Sequence, residues 1–454
     1  MAERTDTQQG HVHDVIGVGI GPFNLSLAAL AEPIETLDAV FLDENERFDW
    51  HPGLLLEGAT LQTPFLADLV TLADPTSEYS FLNYLKASGR IYAFYIREQF
   101  FMLRAEYNQY CRWVAEQLTS LVFEQRVSAI EYDAAQACYV VTAIRPSSGT
   151  IRVYRARRLV LGTGPQRDWP TCCDGLDGPV CHAADYLDWR DTLAEQPSVT
   201  IIGSGQSAAE IFNDRLDTAG PAQRLDWFTR SPRFFAMAYD KLTLELTSPE
   251  YIDYFHALPE HSRQRLSRDH KPLYKGIDRD LSDAIFDRLY EKDVHGTANV
   301  GLQANATLLG VRRDDATGDY RLDFVQTEQG QRFTHRTAAL VLATGFAHRA
   351  PDYLAPIADQ IRWDGQGRFR VCRDYAIDVA GDRIFVQNAE LHTHGFTASD
   401  LGMACYRNAV ILKQIVGREV YPIERRIAFQ NFDAGALSAT TQAADHPQPD
   451  RETT

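Results

Sequence analysis

Two strand-like segments of this chain each run into a glycine-rich turn and then into a helical pattern. The first, DVIGVGIGPFNLSLAAL, has the spacing of a dinucleotide fingerprint, with Pro22 opening the helix and Asn24 at the usual third glycine. Gly19 permits a tight turn, and Gly21 lets backbone N–H groups approach a pyrophosphate at the helix N-terminus. The next predicted strand, AVFLDE, includes Asp43, which is placed to bind ribose hydroxyls. Such a turn can also serve only close strand–helix packing. Together with the acid Asp43, however, the pattern predicts a nucleotide site formed by Gly19, Gly21, Pro22, Asn24 and Asp43.

The second glycine-rich turn lies much later, in VTIIGSGQSAAE. The strand that follows it, RLDWFTRSPRF, ends in two arginines instead of an acid. Arginine at that position accommodates a 2′-phosphate, which predicts NADPH in preference to NADH. The alternative is that these arginines only solvate a loop. The predicted residues of this second site are Gly203, Ser204, Gly205, Gln206, Ser207, Arg230 and Arg233.

The fold class follows from the repeated order of β-branched runs and helical segments, which is typical of parallel α/β units. We predict an α/β protein with two Rossmann-like lobes and a smaller helical substrate region. The first lobe is expected to take residues 13–195, and the second, inserted lobe residues 196–336. The strand ahead of ATGF is expected to return to the first lobe, which residues 337–433 complete together with the substrate region. Residues 1–12 and 434–454 are expected to be disordered.

The composition excludes several classes of protein. The chain has 454 residues, a net charge of −17 and no apolar run near the roughly 18 residues of a membrane span. We therefore expect no membrane span and, from the acidity, no nucleic-acid partner. Seven cysteines without a disulfide framework and a polar N-terminus unlike a signal peptide predict a cytoplasmic protein. No metal site is predicted.

Two dinucleotide sites in one chain suggest that a bound flavin passes the hydride received from NADPH to another acceptor. A disulfide acceptor needs two cysteines separated by a short turn, whereas this sequence has the adjacent pair Cys172 and Cys173. Adjacent cysteines bridge only with backbone strain, which disfavours disulfide reduction. Dioxygen is the remaining common acceptor, and a reduced flavin that binds it becomes a hydroxylating agent.

The chain resembles the flavin-dependent lysine, ornithine and diamine N-monooxygenases of siderophore biosynthesis. The similar motifs lie within about residues 13–420 and read DVIGVGIGPFNLSLAAL, FDWHPG, LQTPFLADLVTLADPTSEYSFLNYL, EYNQYCRW, IIGSGQSAAE and LATGFAHRAP. The resemblance implies FAD in the first lobe, NADPH in the second, and a C4a-hydroperoxyflavin whose distal oxygen is attacked by a primary amine. It also implies a homotetramer or dimer.

The same resemblance assigns residues around the flavin. Gln62 and Arg104 are the catalytic candidates, with Gln62 near the flavin or substrate and Arg104 close to the cofactors. Trp50 and His51 are also implied at the flavin. The alternative for Trp50 is an ordinary packed aromatic, and the alternative for His51 is a structural histidine. The further FAD-site residues implied are Trp50, His51, Gln62, Thr344 and Gly345.

The substrate is inferred from departures at positions that hold an amino acid's carboxylate in the lysine and ornithine enzymes. Their F-L-K-D-L motif reads FLADL here, with Ala67 in place of the lysine. Leu244 aligns with an expected asparagine, and Gly402 with an expected serine. Asp400 stands where those enzymes tend to have a neutral residue. Such changes favour a substrate whose far end is an ammonium, a linear diamine such as putrescine or cadaverine.

The candidates for binding the distal ammonium are Asp400 and, after it, Glu245, and the alternative for each is a solvated surface carboxylate. A buried carboxylate without its partner costs about 3–5 kcal/mol, so lysine and ornithine should be rejected by roughly two orders of magnitude or more. The alternative substrates are L-lysine and L-ornithine, with the carboxylate site moved to Lys241 or Arg407. The two diamines differ by one methylene, which the sequence does not resolve.

Two other classes of protein compete with this interpretation. Carbon-oxygenating flavin monooxygenases carry an F-x-G-x-x-x-H-x-x-x-W-P signature between the lobes, whereas GPVCHAADYLDW has His182 without the W-P. A non-enzymatic flavin scaffold would leave both cofactor motifs idle. Amine-dependent NADPH oxidation separates an enzyme from such a scaffold.

Overall fold

The computed structural model describes residues 10–218, 222–238 and 240–434. Residues 1–9 and 435–454, which belong to the segments expected to be disordered, lie outside the described residues. Residues 10–12 of the first segment are described, and His11 Nε2 lies 2.6 Å from Asp38 Oδ2.

The described residues form strands and helices in alternation. In chain order the strands are β1 (His13–Val18), β2 (Ala39–Leu42), β3 (Thr60–Pro64), β4 (Phe101–Leu103), β5 (Leu121–Val122), β6 (Arg126–Asp133), β7 (Cys138–Ile144), β8 (Ile151–Leu161), β9 (Gln166–Arg167), β10 (Val180–His182), β11 (Ser198–Ile202), β12 (Arg224–Phe228), β13 (Val300–Gln303), β14 (Ala306–Arg313), β15 (Tyr320–Gln326), β16 (Gln331–Thr337), β17 (Ala339–Leu342), β18 (Phe346–Ala347) and β19 (Ile384–Val386). The α-helices are α1 (Pro22–Ala31), α2 (Phe81–Ala87), α3 (Ile91–Arg97), α4 (Arg104–Ala115), α5 (Tyr186–Ala194), α6 (Gln206–Thr218), α7 (Lys241–Leu244), α8 (Pro249–Ala257), α9 (Glu260–Asp269), α10 (Lys271–Tyr274), α11 (Arg279–Val294), α12 (Leu391–His394) and α13 (Ala404–Val416).

The first sheet has the strand order β5-β2-β1-β8-β7-β6, and β19 adds to β8. Its cofactor end is parallel, because β1 pairs in parallel with β2 and β8, and β8 pairs in parallel with β19. Alternate residues of β1 enter different cores: Val15 packs in the cluster that includes Leu25 of α1, whereas Ile16 and Val18 pack in the cluster that includes Val141 of β7. A strand buried on both faces has to be continuously apolar, as the VIGV run is.

The second sheet is parallel throughout, in the order β10-β17-β11-β12-β13. This order corrects the expectation that the strand ahead of ATGF returns to the first lobe, because β17 pairs with β10 and β11 inside the second sheet. The return is made by β19 instead. An apolar run such as Ala339–Leu342 satisfies a central strand of either sheet, so its composition does not indicate which sheet it joins. Together the two sheets confirm the predicted pair of Rossmann-like lobes.

The helices α7 to α11 lie between β12 and β13 in the chain, and α11 packs against α6 of the second lobe. Helix α8 packs against α12, which follows β19, and Tyr251 of α8 contacts Phe396 just beyond α12 with ring centroids 6.5 Å apart. The predicted smaller helical region is therefore assembled from two separate parts of the chain. Among the described helices, none is both long and apolar enough to span a membrane.

Candidate active site

The first glycine-rich turn lies at the edge of the sheet where β1, β8 and β19 end. Gly19 has a φ of +88°, and a Cβ there would lie 2.6 Å from the carbonyl oxygen of Gly162, so the turn requires glycine. A Cβ on Gly21 would meet nothing within 4 Å, and Gly21 gives α1 no side-chain cap. The first N–H groups of α1 therefore face open space, which is the arrangement that binds a pyrophosphate.

Asn24 supports this turn from beneath. Its side chain is fully buried, its Nδ2 donates to the carbonyl oxygen of Gly19 at 2.8 Å, and its Oδ1 accepts from Gln387 Nε2 at 2.6 Å. A Cβ on Gly162 would lie 2.5 Å from Asn24 Nδ2, so the asparagine fits only because position 162 is also a glycine. Gly162 belongs to another short turn, Gly162–Gly164, which follows β8. The sequence analysis did not include this turn, although RLVLGTG has the required signal of an apolar strand followed by glycines.

Asp43 lies just after β2, beside the glycine turn. Its Oδ2 accepts from the backbone N–H of Ile20 at 2.6 Å, and its Oδ1 accepts from that of Asn45 at 2.8 Å. Oδ1 also accepts from Asn45 Nδ2 at 2.7 Å, so these bonds fix the orientation of the carboxylate and leave a lone pair for a hydroxyl donor on Oδ2.

A cavity of about 570 Å³ brings this turn together with residues from distant parts of the chain. It contains the first turn, the aromatic pair after β2 and two of the predicted substrate residues. The predicted residues that line it are Gly19, Gly21, Pro22, Asp43, Trp50, His51, Gln62, Leu244 and Asp400. The lining residues that the sequence analysis missed include Gly162, Thr163, Gly164, Tyr274 and Phe396.

Trp50 and His51 form one wall of this cavity. Their rings meet edge to face with centroids 4.5 Å apart, and the Trp50 backbone N–H donates to Asn108 Oδ1 at 2.9 Å. Burial and, secondarily, the Arg104 guanidinium lower the pKa of His51 to about 4. His51 is therefore neutral at physiological pH. Gln62 lies on β3, and its Nε2 donates to the carbonyl oxygen of Thr60 at 3.2 Å.

Arg104 does not line the cavity. Its guanidinium makes a buried bidentate ion pair with Glu210 of α6, with Nη1–Oε2 and Nη2–Oε1 distances of 2.9 and 2.6 Å. Nη1 also donates to the carbonyl oxygen of Leu54 at 2.9 Å. Arg104 thus forms an ion pair between the lobes, and its proximity to the cofactors stays a prediction.

The substrate residues Ala67 and Asp400 both lie close to Gly402. A Cβ on Gly402 would lie 3.2 Å from Asp400 Oδ1 and 3.9 Å from the Cβ of Ala67. Asp400 Oδ1 accepts from the backbone N–H of Gly402 at 2.7 Å, and burial raises the pKa of the Asp400 carboxyl. Ala67 is held by its neighbour Asp68, a buried carboxylate that accepts from the backbone N–H groups of Val70, Thr71 and Phe81.

Ala67 does not line this cavity, and neither do the other residues weighed for the substrate, Glu245, Lys241 and Arg407. Glu245 Oε2 accepts from the backbone N–H of Gln430 at 2.9 Å, so its carboxylate is directed to the C-terminal segment. Lys241 is exposed at the start of α7. Arg407 is 1% exposed, and its Nη1 lies 2.9 Å from Oε1 of the fully buried Glu390.

The second glycine turn precedes α6 at the end of β11. A Cβ on Gly203 would lie 2.2 Å from the carbonyl oxygen of Ala343, the residue after β17, so the turn packs directly on the neighbouring strand. Gly205 lies near the backbone of Lys275. Burial and the neighbouring cations Lys271 and Arg230 lower the pKa of the Lys275 ammonium. The sequence analysis missed Lys275, which has no motif of its own.

The remaining predicted cofactor residues lie in or near these turns. Ser204 and Ser207 are half-buried at the second turn, and the guanidinium of Arg233 stacks on Phe235 at 4.5 Å. Thr344 Oγ1 donates to the carbonyl oxygen of Asp168 at 2.5 Å, and the Gly345 carbonyl accepts from the backbone N–H of Asp168 at 2.9 Å. Through these hydrogen bonds Thr344 and Gly345 connect the segment after β17 to the loop after β9. Neither residue lines the cavity.

Among the described residues, one cluster, His11, His13 and Asp38, brings together enough ligand atoms to hold a metal ion. Both imidazoles are within hydrogen-bond distance of the Asp38 carboxylate, at 2.6 and 2.9 Å. These mutual bonds account for the cluster, which lies at the start of β1 and β2, opposite the glycine turn.

Comparison with known proteins gives one family and several close relatives. The family model described as L-lysine 6-monooxygenase/L-ornithine 5-monooxygenase matches residues 11–348. A putrescine N-hydroxylase from Shewanella oneidensis is 50% identical over 423 residues, which are 93% of this chain and 84% of that protein. The FAD-bound crystal structure of the cadaverine monooxygenase of desferrioxamine biosynthesis from Erwinia amylovora is 50% identical, covers 94% of this chain and 99% of its own, and has a TM-score of 0.91. An ornithine N-hydroxylase from Kutzneria sp. 744, with reduced FAD, NADP⁺ and L-ornithine, is 27% identical, covers 90% of this chain and 99% of its own, and has a TM-score of 0.82.

Proposed function

Because the chain belongs to the L-lysine 6-monooxygenase/L-ornithine 5-monooxygenase family, we propose that it hydroxylates one primary amine of a linear diamine. The diamine is putrescine or cadaverine, and the hydroxylamine product serves hydroxamate siderophores. The observation that carries this proposal is the single cavity that joins the first glycine turn to Gln62 and Asp400. The half-identical relatives named for putrescine and cadaverine support a diamine, and they differ by one methylene in substrate.

FAD fits the residues of this cavity. The uncapped start of α1 and the open space at Gly21 suit a pyrophosphate, and Asp43 suits a ribose. Trp50, His51 and Gln62 would lie along the flavin, and Asn24 would hold the turn from beneath. Bound FAD would supply dioxygen activation, with electrons from NADPH.

NADPH fits the second glycine turn. The helix α6 begins at Gln206 directly after the turn, so its N-terminal N–H groups are available to a pyrophosphate. Lys275 lies beside the turn, and Arg230 is close enough to Lys275 to lower the pKa of its ammonium. These two basic side chains would suit a 2′-phosphate and favour NADPH over NADH.

The chain's own residues would bind the diamine by its unreactive end. Asp400 would accept hydrogen bonds from the distal ammonium, while Leu244 contributes an apolar wall and Ala67, near Gly402, supplies no cation to compete with the ligand. The reacting amine must be neutral, although a free alkylamine has a pKa near about 10.4. Desolvation in the cavity lowers that pKa, so we expect turnover to rise with pH from neutral to mildly alkaline.

L-lysine and L-ornithine are the alternative substrates. A carboxylate site moved to Arg407 is disfavoured, because this guanidinium is buried and already paired with Glu390. Lys241 is exposed and outside the cavity. Both observations support the diamine.

The test is the yield of hydroxylamine per NADPH oxidised, with putrescine, cadaverine, L-lysine and L-ornithine at matched concentrations. We expect a yield near one with a diamine and uncoupled NADPH oxidation with the amino acids. A yield near one with L-lysine or L-ornithine would contradict the diamine assignment, and amine-independent oxidation with every substrate would contradict the monooxygenase itself.

We further propose a cytoplasmic homo-oligomer, a dimer or tetramer. Its seven cysteines are all free, as expected in a reducing compartment. Helix α11 exposes an apolar stripe of Phe286, Tyr290 and Val294, each 65–68% exposed, which a second copy would cover. Light scattering of the purified protein tests the oligomeric state, and a monomer would contradict it.

A further inference from the structure

A buried ion pair joins the two lobes of the molecule. Arg104 is the first residue of α4, beside the first sheet, and Glu210 lies on α6, beside the second. Their side chains are only 9% and 6% exposed, and two hydrogen bonds of 2.9 and 2.6 Å connect them. The guanidinium cannot lose its charge, so it remains in this buried place only while Glu210 neutralises it.

The Glu210 carboxylate is also connected by hydrogen bonds to the second glycine turn. Glu210 Oε1 accepts from Gln206 Nε2 at 3.0 Å, and Gln206 Oε1 accepts from the backbone N–H of Asp278 at 2.7 Å. Gln206 begins α6 directly after the glycine turn, and Asp278 caps the start of α11 by accepting from the backbone N–H of Leu281. Glu210 therefore connects α4 of the first lobe, the turn proposed for NADPH and the start of α11.

We propose that Glu210 is a positioning residue that fixes the second glycine turn relative to the flavin cavity through Arg104 and Gln206. Neither Glu210 nor Arg104 lines the flavin cavity, so the pair acts on geometry and not by contact with a reacting atom. Hydride transfer requires donor and acceptor to be held at close range, and a displacement of about 1 Å can cost on the order of 100-fold in rate. The link to hydride transfer rests on the proposed function, whereas the link between the lobes does not.

The test compares Glu210→Gln with a matched control on the same helix. Asp214 lies one turn further along α6 and also accepts two hydrogen bonds from an arginine, Arg190, at 2.6 and 3.0 Å. Arg190 lies on α5, which stands in the chain between two strands of the second sheet, β10 and β11. Asp214→Asn therefore breaks an arginine–carboxylate pair within one lobe, with side chains 41% and 15% exposed. Each FAD-loaded variant is measured twice, by hydrogen exchange at the Asp278 amide and by anaerobic reduction of the flavin at varied NADPH concentration.

For Glu210→Gln we expect exchange at the Asp278 amide to be at least about tenfold faster and the limiting reduction rate to fall by roughly 10–100-fold. For Asp214→Asn both should stay within about twofold of the wild type. The double variant Arg104→Gln/Glu210→Gln removes both buried charges, and its reduction rate should match that of Glu210→Gln, because the two residues act as one unit.

Unchanged exchange and reduction in Glu210→Gln would overturn the proposal, as would equal losses in Asp214→Asn. A further slowing in the double variant would show that Arg104 acts separately and would also overturn it. If the wild type hydroxylates no diamine but Glu210→Gln still changes exchange and reduction as expected, the substrate assignment fails and the positioning role of Glu210 stands.

Discussion

Replacing Asp400 by asparagine removes a negative charge from the wall of the cavity with almost no change of shape. Asparagine retains the oxygen that accepts from the Gly402 N–H at 2.7 Å, and asparagine is itself a good helix cap, so the short helix after position 400 should persist. What is lost is the charge available to a ligand's ammonium. A hydrogen bond to a charged group contributes about 1.5–3 kcal/mol, which predicts a decrease of roughly 10–150-fold in kcat/KM for the diamine.

The assay follows hydroxylamine formation from putrescine and cadaverine and from the matching monoamines, butylamine and pentylamine, which lack the distal ammonium. Asp400→Asn should lower kcat/KM for the diamines and leave that for the monoamines within about twofold of the wild type. Glu245→Gln is the control, because the Glu245 carboxylate faces Gln430 and not the cavity. Equal losses for diamine and monoamine, or a larger effect of Glu245→Gln, would refute the role given to Asp400.

Three further changes test other parts of the site. Ala67→Lys should abolish diamine turnover more completely than Ala67→Met, a side chain of similar length, because only the lysine ammonium can neutralise Asp400; similar losses in both variants would point to crowding. The pKa of His51 is lowered to about 4 in the folded protein, whereas in the unfolded chain it is near the ordinary value of about 6.5. Between these two pH values the unfolded chain binds a proton that the folded protein does not, so the free energy of unfolding decreases as the pH falls from about 6.5 to about 4. Urea unfolding should therefore show at most about 2 kcal/mol more loss between pH 7 and 5 in the wild type than in His51→Gln, with the exposed His295→Gln behaving as wild type. Arg230→Ala should lower kcat/KM for NADPH by roughly 10–100-fold and leave that for NADH unchanged, since NADH has no 2′-phosphate; an equal loss with NADH would contradict that role.

The two glycine turns could be predicted from the sequence because their constraint is local. A residue such as Gly19 has a positive φ and a carbonyl 2.6 Å from any added Cβ, and the strand, turn and helix that impose this are contiguous in the chain. The lobe to which β17 belongs could not be predicted in the same way. All four residues of β17 are buried, because both faces of this strand are covered, and a central parallel strand of either lobe has that pattern.

The ion pair of Arg104 with Glu210 could not be predicted from the sequence for a different reason. The family resemblance implies that this arginine is near the cofactors, but its partner Glu210 is 106 residues away and lies on the other lobe. An ion pair of this kind depends on how the two lobes dock, and neither residue has a local pattern that reports it. Asn24 is a similar case, because its role beneath the turn depends on Gly162 of a strand far along the chain.

The substrate residues stay a prediction from the sequence, which was possible because the changes among them are chemically linked. In the lysine and ornithine enzymes that the chain resembles, a protein cation is expected to meet a substrate carboxylate, whereas here Ala67 and Gly402, close to Asp400, supply no cation and no hydroxyl. Asp400 with a lysine at position 67 would be neutralised by the protein itself, and Ala67 without Asp400 would leave the site with no group that orients a ligand. We therefore predict that the two substitutions act together, as an inversion of one ion pair in which the protein would supply the carboxylate and the substrate the cation.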